Sequence, residues 1–330
     1  MRSPHAVRRA LLGISTFLAA SLAAWPLCAQ EFPSRPITIV VPFGPGGGPD
    51  VTVRAIAEKL SGSLKQPVVI DYKPGAAGLI GAAFVQKARP DGHTILFSGN
   101  SSMVVAPMLR QPAPFDVRKD FAPLSIALRY PMFLIVPPRH PSNTVAEFVA
   151  AAKAKPDSVS YGSPGVGTVG HLTTELFARS AGFKATHVPY KGLGDAQTGV
   201  MAGDVHLYLD GPLSSAELLR AGKVKALAVT GDKRISAFPN VPSMKELGYP
   251  DVNPQVWVGF FAPRGTPEQV VRRLSEEIAR TVKTGDVRDL ISQGGLAEAV
   301  GNTPAEMAQL IEAEIPAFSS LVKDLNLRAD

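Results

Sequence analysis

Two glycine-rich stretches carry the clearest chemistry in the chain. One is Phe43-Gly44-Pro45-Gly46-Gly47-Gly48-Pro49-Asp50; the other is Gly162-Ser163-Pro164-Gly165-Val166-Gly167-Thr168. Each follows an apolar strand pattern. Each precedes apolar residues at helical spacing: Val53, Ile56, Ala57, Leu60 and Leu64 after the first, Val169, Leu172 and Leu176 after the second. A strand that feeds a glycine loop and then a helix N-terminus predicts unpaired N–H groups aimed at one point, where the helix dipole favours an anion. Glycine allows the positive φ and close approach such a seat needs, and Pro49 fits the first helical position. Backbone N–H groups hold a carboxylate by charge-assisted bonds without an arginine. The polar stretch Ser98-Gly99-Asn100-Ser101-Ser102 follows another strand pattern, which puts it on the same sheet edge as the 43–48 loop. Asp210 ends an apolar strand pattern just before Gly211-Pro212, so it points to a ligand edge, caps the next helix, or does both.

Other chemistries fit less well. Gly165-Val166-Gly167-Thr168-Val169-Gly170 matches the dinucleotide fingerprint, but the acid expected about 20 residues on is absent and His187-Val188-Pro189-Tyr190-Lys191 stands there. No G-K-[ST] phosphate loop, H-E-x-x-H or G-x-S-x-G motif is present. His171 and Glu175 lie four apart on a helix and read as a surface pair rather than a metal site. Ser163 has no evident base partner, and Asp50 reads as a first-turn acid facing the helix dipole. Phe43 and Trp257 read as half core and half cleft wall. Two anion seats without nucleophile, base or metal predict a protein that holds a ligand and does not convert it, with no cofactor. Two seats on two facing domains would clamp that ligand on hinge closure. An exported enzyme on the same scaffold, hydrolase-like and using Asp210 or His171, is the alternative; a ligand-sensing partner of a two-component system is another.

The elements that must place these residues alternate. Strand, loop and helix repeat three times up to residue 102, and the alternation restarts at 144, so each half predicts a parallel sheet with helical crossovers. Thr144, Thr266 and Thr303 each precede an acid or amide three residues on and predict capped helix starts. Residues 1–29 stand apart: Arg2, Arg8 and Arg9, an apolar run, then Leu27-Cys28-Ala29, the pattern of a secretory signal cleaved near Ala29. Without it the formal net charge falls from +6 to +3, because the leader holds three arginines and no acid, so the basic balance implies no nucleic-acid partner. The single cysteine, Cys28, leaves with it, and the 301 residues that remain must be held by their core alone.

These stretches resemble a known family over residues 32–325. The matching residues are Arg35-Pro36-Ile37 through Pro45-Gly46-Gly47-Gly48 and Asp50; Lys73-Pro74-Gly75-Ala76 and Gly78; Pro90-Asp91-Gly92; Tyr161-Gly162-Ser163 with Gly165 and Gly167-Thr168; His187-Val188-Pro189-Tyr190-Lys191-Gly192; Ala221-Gly222-Lys223 with Ala226-Leu227-Ala228-Val229-Thr230; and Ala262-Pro263 with Gly265-Thr266-Pro267. The chain resembles the extracytoplasmic substrate-binding proteins of tripartite tricarboxylate transporters, the Bug receptor family. The resemblance implies an α/β, two-lobed, periplasmic-binding-protein-like (type II) flytrap, each lobe a mainly parallel sheet flanked by helices, with two inter-lobe crossovers. Lobe one is then residues 30–131 plus 254–330, lobe two is 132–253, and the crossings fall near 122–136 and 250–262. It further implies a periplasmic protein that takes a small organic carboxylate, a di- or tricarboxylate or an aromatic acid, and passes it to integral membrane transporter subunits. The ligand contacts it implies, joined with the residue reading above, are Phe43, Gly44, Gly46, Gly47, Gly48, Ser98, Asn100, Ser101, Ser163, Gly165, Gly167, Thr168 and Asp210. Two departures stand out: Tyr72 where the family usually has asparagine, and Pro49 where serine or threonine is usual.

Overall fold

The computed structural model describes residues 32–46 and 48–328. The leader and its cleavage site, Cys28 and Gly47 lie outside the described residues. Strand β1 (Ile37–Val41) is almost wholly buried, as its β-branched run requires. Helix α1 (Gly48–Leu64) follows, with Val53, Ile56, Ala57, Leu60 and Leu64 on its buried face. Then come β2 (Val68–Tyr72), α2 (Leu79–Gln86), β3 (Thr94–Gly99), β4 (Phe121–Tyr130) and β5 (Phe133–Val136). The second alternation runs α3 (Val145–Ala154), β6 (Ser160–Ser163), α4 (Val169–Ala181), β7 (Thr186–Pro189), α5 (Leu193–Ala202), β8 (Leu207–Asp210), α6 (Pro212–Arg220) and β9 (Lys225–Val229). The chain ends with β10 (Val256–Pro263), α7 (Glu268–Lys283), α8 (Gly285–Ser292), β11 (Glu298–Ala299) and α9 (Pro304–Asp324).

The strands make two sheets, ordered β11-β4-β10-β3-β1-β2 and β7-β6-β8-β5-β9. This is a two-lobed α/β fold. Two connections cross between the sheets: Pro131-Met132 between β4 and β5, and the segment from β9 to β10. Both sheets lie in one compact unit that begins at Arg35. The sheets are mixed, where mainly parallel ones were expected. Only β2-β1-β3 and β7-β6-β8 are parallel. The cause is the crossings. The strands after the crossings, β5 and β10, enter from the other sheet and run against their neighbours, so every pair they make is antiparallel.

Two of the three threonine caps form. Thr144 accepts from the Glu147 N–H, and Thr303 and Glu306 close a full capping box before Pro304. Thr266 does not cap: its hydroxyl donates to the Pro263 carbonyl at 2.8 Å, closing the turn after β10, and Pro267 takes the N-cap place instead. The stretch after β3 is no open loop. Ser98 and Gly99 belong to β3, and Ser101–Val105 is a π-helical turn leading into Ala106–Met108. One apolar cluster passes without a break from Val40 and Leu96 through Met103, Val104, Ala106 and Leu109 to Val169 and Leu172 in the second lobe.

Candidate functional site

The 43–48 loop is fastened by its own helix. Asp50, in the first turn of α1, is 3% exposed and accepts from the Gly46 N–H at 3.0 Å, Arg54 Nε at 3.1 Å and the Tyr72 hydroxyl at 2.5 Å. Burial alone would push the Asp50 carboxyl up; those three donors outweigh it and hold it below its usual range. The same burial and the adjacent carboxylate push Tyr72 up to about 12. So Tyr72, a departure from the family pattern, helps to clamp the loop, and the Gly46 N–H is already committed. Gly46 takes φ 98, which favours glycine. Phe43 is half-buried with its ring edge-on to Phe97 at 6.2 Å, and Gly44 is exposed. Gly48 lies where a Cβ would stand 2.4 Å from Leu213 Cβ, in the first turn of α6. The first lobe therefore meets the second at this glycine.

The 163–168 loop is fastened from below. Ser163 ends β6, is fully buried, accepts from the Gly165 N–H at 3.1 Å and donates to the Gly165 carbonyl at 3.0 Å. The Thr168 hydroxyl also reaches that carbonyl, at 3.0 Å, and accepts from the His171 N–H to cap α4. Gly167 donates its N–H to His171 Nδ1 at 3.3 Å. Ser163 does have an imidazole partner, contrary to expectation: His187 Nε2 is 2.6 Å away. Parallel pairing of β6 and β7 sets Tyr161 beside His187, so residues 161, 163 and 187 share one face. The rings of Tyr161, His187 and His171 stack there, with 4.9 Å between the first two centroids and 4.0 Å between the histidines. Burial pushes His187 down to about 4; burial and the neighbouring His187 push His171 down to about 3. Both rings are neutral at neutral pH, and Nδ1 of His171 is free to accept.

This arrangement corrects one expectation. The Gly46, Gly165 and Gly167 N–H groups are not unpaired; side chains of the same segments hold them. It also disposes of the Ser163–His187 pair as a nucleophile, because the hydroxyl is sealed from solvent and ties its own loop. His171 and Glu175 are not a surface pair: His171 is buried and accepts from the Gly167 N–H, and Glu175 accepts from the Tyr161 hydroxyl. Among the described residues no group of three or more metal-ligating side chains exists.

Across from the second loop stands the first lobe. Val169, the first residue of α4, donates its N–H to Ser101 Oγ at 3.0 Å. A Cβ at Gly167 would lie 3.2 Å from Ala106 Cα and 2.7 Å from Leu109 Cδ1; one at Gly165 would lie 4.0 Å from Ala77 Cβ. Ala77 belongs to a left-handed turn in which Gly75, Ala76, Ala77 and Gly78 all have positive φ. Alanine pays about 1–2 kcal/mol for that conformation, so the turn is strained where it faces the loop. Asn100 is buried and donates to the Gln255 carbonyl at 2.9 Å; its Oδ1, like Ser98 Oγ, is buried without a protein partner. Asp210 is 1% exposed and accepts from Gln197 Nε2 at 2.7 Å, the Gly211 N–H at 2.8 Å and Ser214 Oγ at 3.1 Å. Burial pushes it up to about 6 against those bonds. It caps no helix, since Gly211 holds the N-cap place without a side-chain bond. Trp257 is core and not cleft wall: it is 1% exposed, with its Nε1 donating to Glu314 at 2.9 Å.

Both glycine loops thus lie on the boundary between the lobes, each leading into a helix N-terminus. Their immediate neighbours differ: the 43–48 loop meets the start of α6 beside Asp210, and the 163–168 loop meets the 75–78 turn and the π-helical turn. The sequence reading noted Tyr72 and His187 but gave them no role in the loops, and it did not single out Ala77, Ala106, Leu109 or Leu213. Of these, His187 was within reach, from the period-two pairing of β6 with β7.

Two sheets joined by two crossings, with helix N-termini at their boundary, define a solute-binding protein of the periplasmic type. The chain belongs to the tripartite tricarboxylate transporter receptor family, TctC, whose family model matches residues 52–327. Protein BugT of Bordetella pertussis is 32% identical over 96% of this chain and 97% of its own. Rpa4515 of R. palustris, solved with adipate, is 33% identical with a TM-score of 0.85, covering 90% of this chain and 99% of that one. MatC of Rhodopseudomonas palustris, solved with bound malate, is 32% identical with a TM-score of 0.83, covering 88% and 100%. The family is one of receptors and not of enzymes.

Proposed function

We propose that this chain is a periplasmic receptor that closes its two lobes on one small organic carboxylate and hands it to a tripartite tricarboxylate-type membrane transporter. Lobe one comprises residues 30–131 and 254–330, lobe two 132–253, and residues 1–29 are an export leader removed near Ala29. The observation that carries the reading is the pair of glycine loops at the lobe boundary, each at a helix N-terminus and each braced by its own side chains. With the Gly165 and Gly167 amides committed, the donors assigned to the ligand in lobe two are the Val166 and Thr168 N–H groups. In lobe one they are the N–H groups of the 43–48 loop other than that of Gly46, and the Ser98 hydroxyl; the unpaired Asn100 Oδ1 can only accept, so it suits a hydroxyl or protonated acid group of the ligand. Adipate and malate in the related structures support a dicarboxylate.

Calorimetry of the mature protein against adipate, malate, citrate and benzoate tests this. Binding of one acid near micromolar Kd, about −8 kcal/mol, is the expected result. Folded protein, shown by mass spectrometry to carry no ligand and silent to all four, overturns it.

A further inference from the structure

We propose that the outer face of α2, with the neighbouring edge strand β2, docks an acidic segment of the membrane partner that also bears apolar side chains; this rests on the receptor reading above. Among the described residues four large hydrophobic side chains are exposed, and three fall on this face: Val69 at 48%, Ile80 at 54% and Phe84 at 46%. Ile80 and Phe84 are one helical turn apart on α2. Strand register explains why Val69 joins them. Asp71, Val40 and Leu96 form one row across β2, β1 and β3, and α2 covers it: Val40 and Leu96 pack with Leu79, Ala82 and Val85. The next row on the same face is Val69, Thr38 and Thr94. Helix α2 has only eight residues and leaves that row open. A groove of about 500 Å³ remains, lined by Arg35, Phe84, Lys87, Ala88, Arg89 and Thr94.

The rim sets the partner's chemistry. Lys73 lies over the Phe84 ring at 4.3 Å and pairs with Asp71; Arg35 pairs with Asp91. Lys87 and Arg89 are exposed, and neither makes an ion pair among the described residues. The face is therefore apolar with a net positive rim. A second copy of the chain would bring like charges together. An acidic segment with an apolar residue for the groove matches both features. Position supports a partner that takes ligand. The stripe starts at the cleft edge, where a Cβ on Gly75 would stand 2.6 Å from Ile80 Cδ1, and Gly75 opens the strained turn whose Ala77 faces Gly165. Pressure on Ile80 thus reaches the segment opposite the second glycine loop.

Photo-crosslinking tests the assignment without needing the ligand. The full mature protein carries Phe84→benzoylphenylalanine and is irradiated on membrane vesicles of its own cell. The expected product joins position 84 to an acidic extramembrane segment of an integral transport protein, identified by mass spectrometry of the joined peptide. Lys87→Glu with Arg89→Glu should cut the yield at least about tenfold, since reversed rim charges slow docking. The same probe at Lys155, exposed on the other lobe, should give none. Crosslinks to lipid, to a second copy or to soluble protein overturn the proposal, and so does a yield indifferent to charge reversal. If position 84 does not tolerate the probe, Ile80→benzoylphenylalanine reads the same stripe. Calorimetry with the four acids runs beside it, so a receptor that docks but binds no carboxylate fails separately from one that binds but does not dock.

Discussion

At the scale of single residues, the second glycine loop depends on two imidazoles staying neutral. A protonated Nδ1 cannot accept the Gly167 N–H, and two charged rings 4.0 Å apart would repel. His171→Phe leaves that buried donor unpaired and should cost about 1–3 kcal/mol in denaturant unfolding at pH 7. His171→Asn, which sets an acceptor oxygen where Nδ1 was, should cost clearly less; equal losses would refute the role given to Nδ1. The histidines are depressed below 6.5 in the folded state, so between about 3–4 and 6.5 the unfolded chain binds more protons, and their contribution is lost as pH falls through that window. Asp210 works in the opposite sense. Its folded value of about 6 lies above 3.8, so the native state binds more protons between the two, and stability falls as pH rises through them. Asp210→Asn should therefore gain stability relative to the parent by about 2–3 kcal/mol between pH 4 and pH 8. A difference that stays flat over that range would show that Asp210 is not strained by burial.

At the scale of elements, the contact between α1 and α6 runs through one missing side chain. Gly48→Ala places a methyl 2.4 Å from Leu213 Cβ, so the lobes must part or the helix shift. Carboxylate affinity should drop at least about tenfold, about 1.4 kcal/mol, and Leu213→Gly in the same chain should restore part of it. A double variant no better than Gly48→Ala would place the damage elsewhere. The sequence announced most elements to within a few residues, because β-branched runs and helical spacing are local signals. It placed both glycine loops at strand–helix junctions correctly. Thr266 shows the limit: the threonine-proline pattern that caps α9 does not cap α7, because α7 begins one residue later, with Pro267 in the N-cap place and the Thr266 hydroxyl turned to the Pro263 carbonyl. The sense of β5 and β10 was hidden for a related reason, since direction depends on which sheet a strand enters. The committed amides of Gly165 and Gly167 were equally invisible, as their acceptors become neighbours only once the loop is folded.

At the scale of the molecule, one residue pins both crossings. Thr230, after β9, donates its N–H to the Met132 carbonyl and accepts from the Met132 N–H, both at 2.8 Å, and its hydroxyl points to the Pro254 carbonyl at 3.4 Å. Thr230→Val keeps the volume and removes the hydroxyl. It should lower stability by about 1–3 kcal/mol, because the Met132 N–H loses its buried acceptor, and small-angle scattering of the ligand-free protein should show a wider spread of lobe angles. Unchanged stability and an unchanged radius of gyration would remove Thr230 from the hinge. The strand order of the first sheet carries a different consequence. Its middle member, β10, stands between β4 and β3 but is made long after them. A nascent chain that has delivered residues 37–130 owns four of the six strands of that sheet, β1 to β4, and nothing to join β4 to β3. The first sheet can therefore close only once Val256–Pro263 has been made, after the whole of the second sheet.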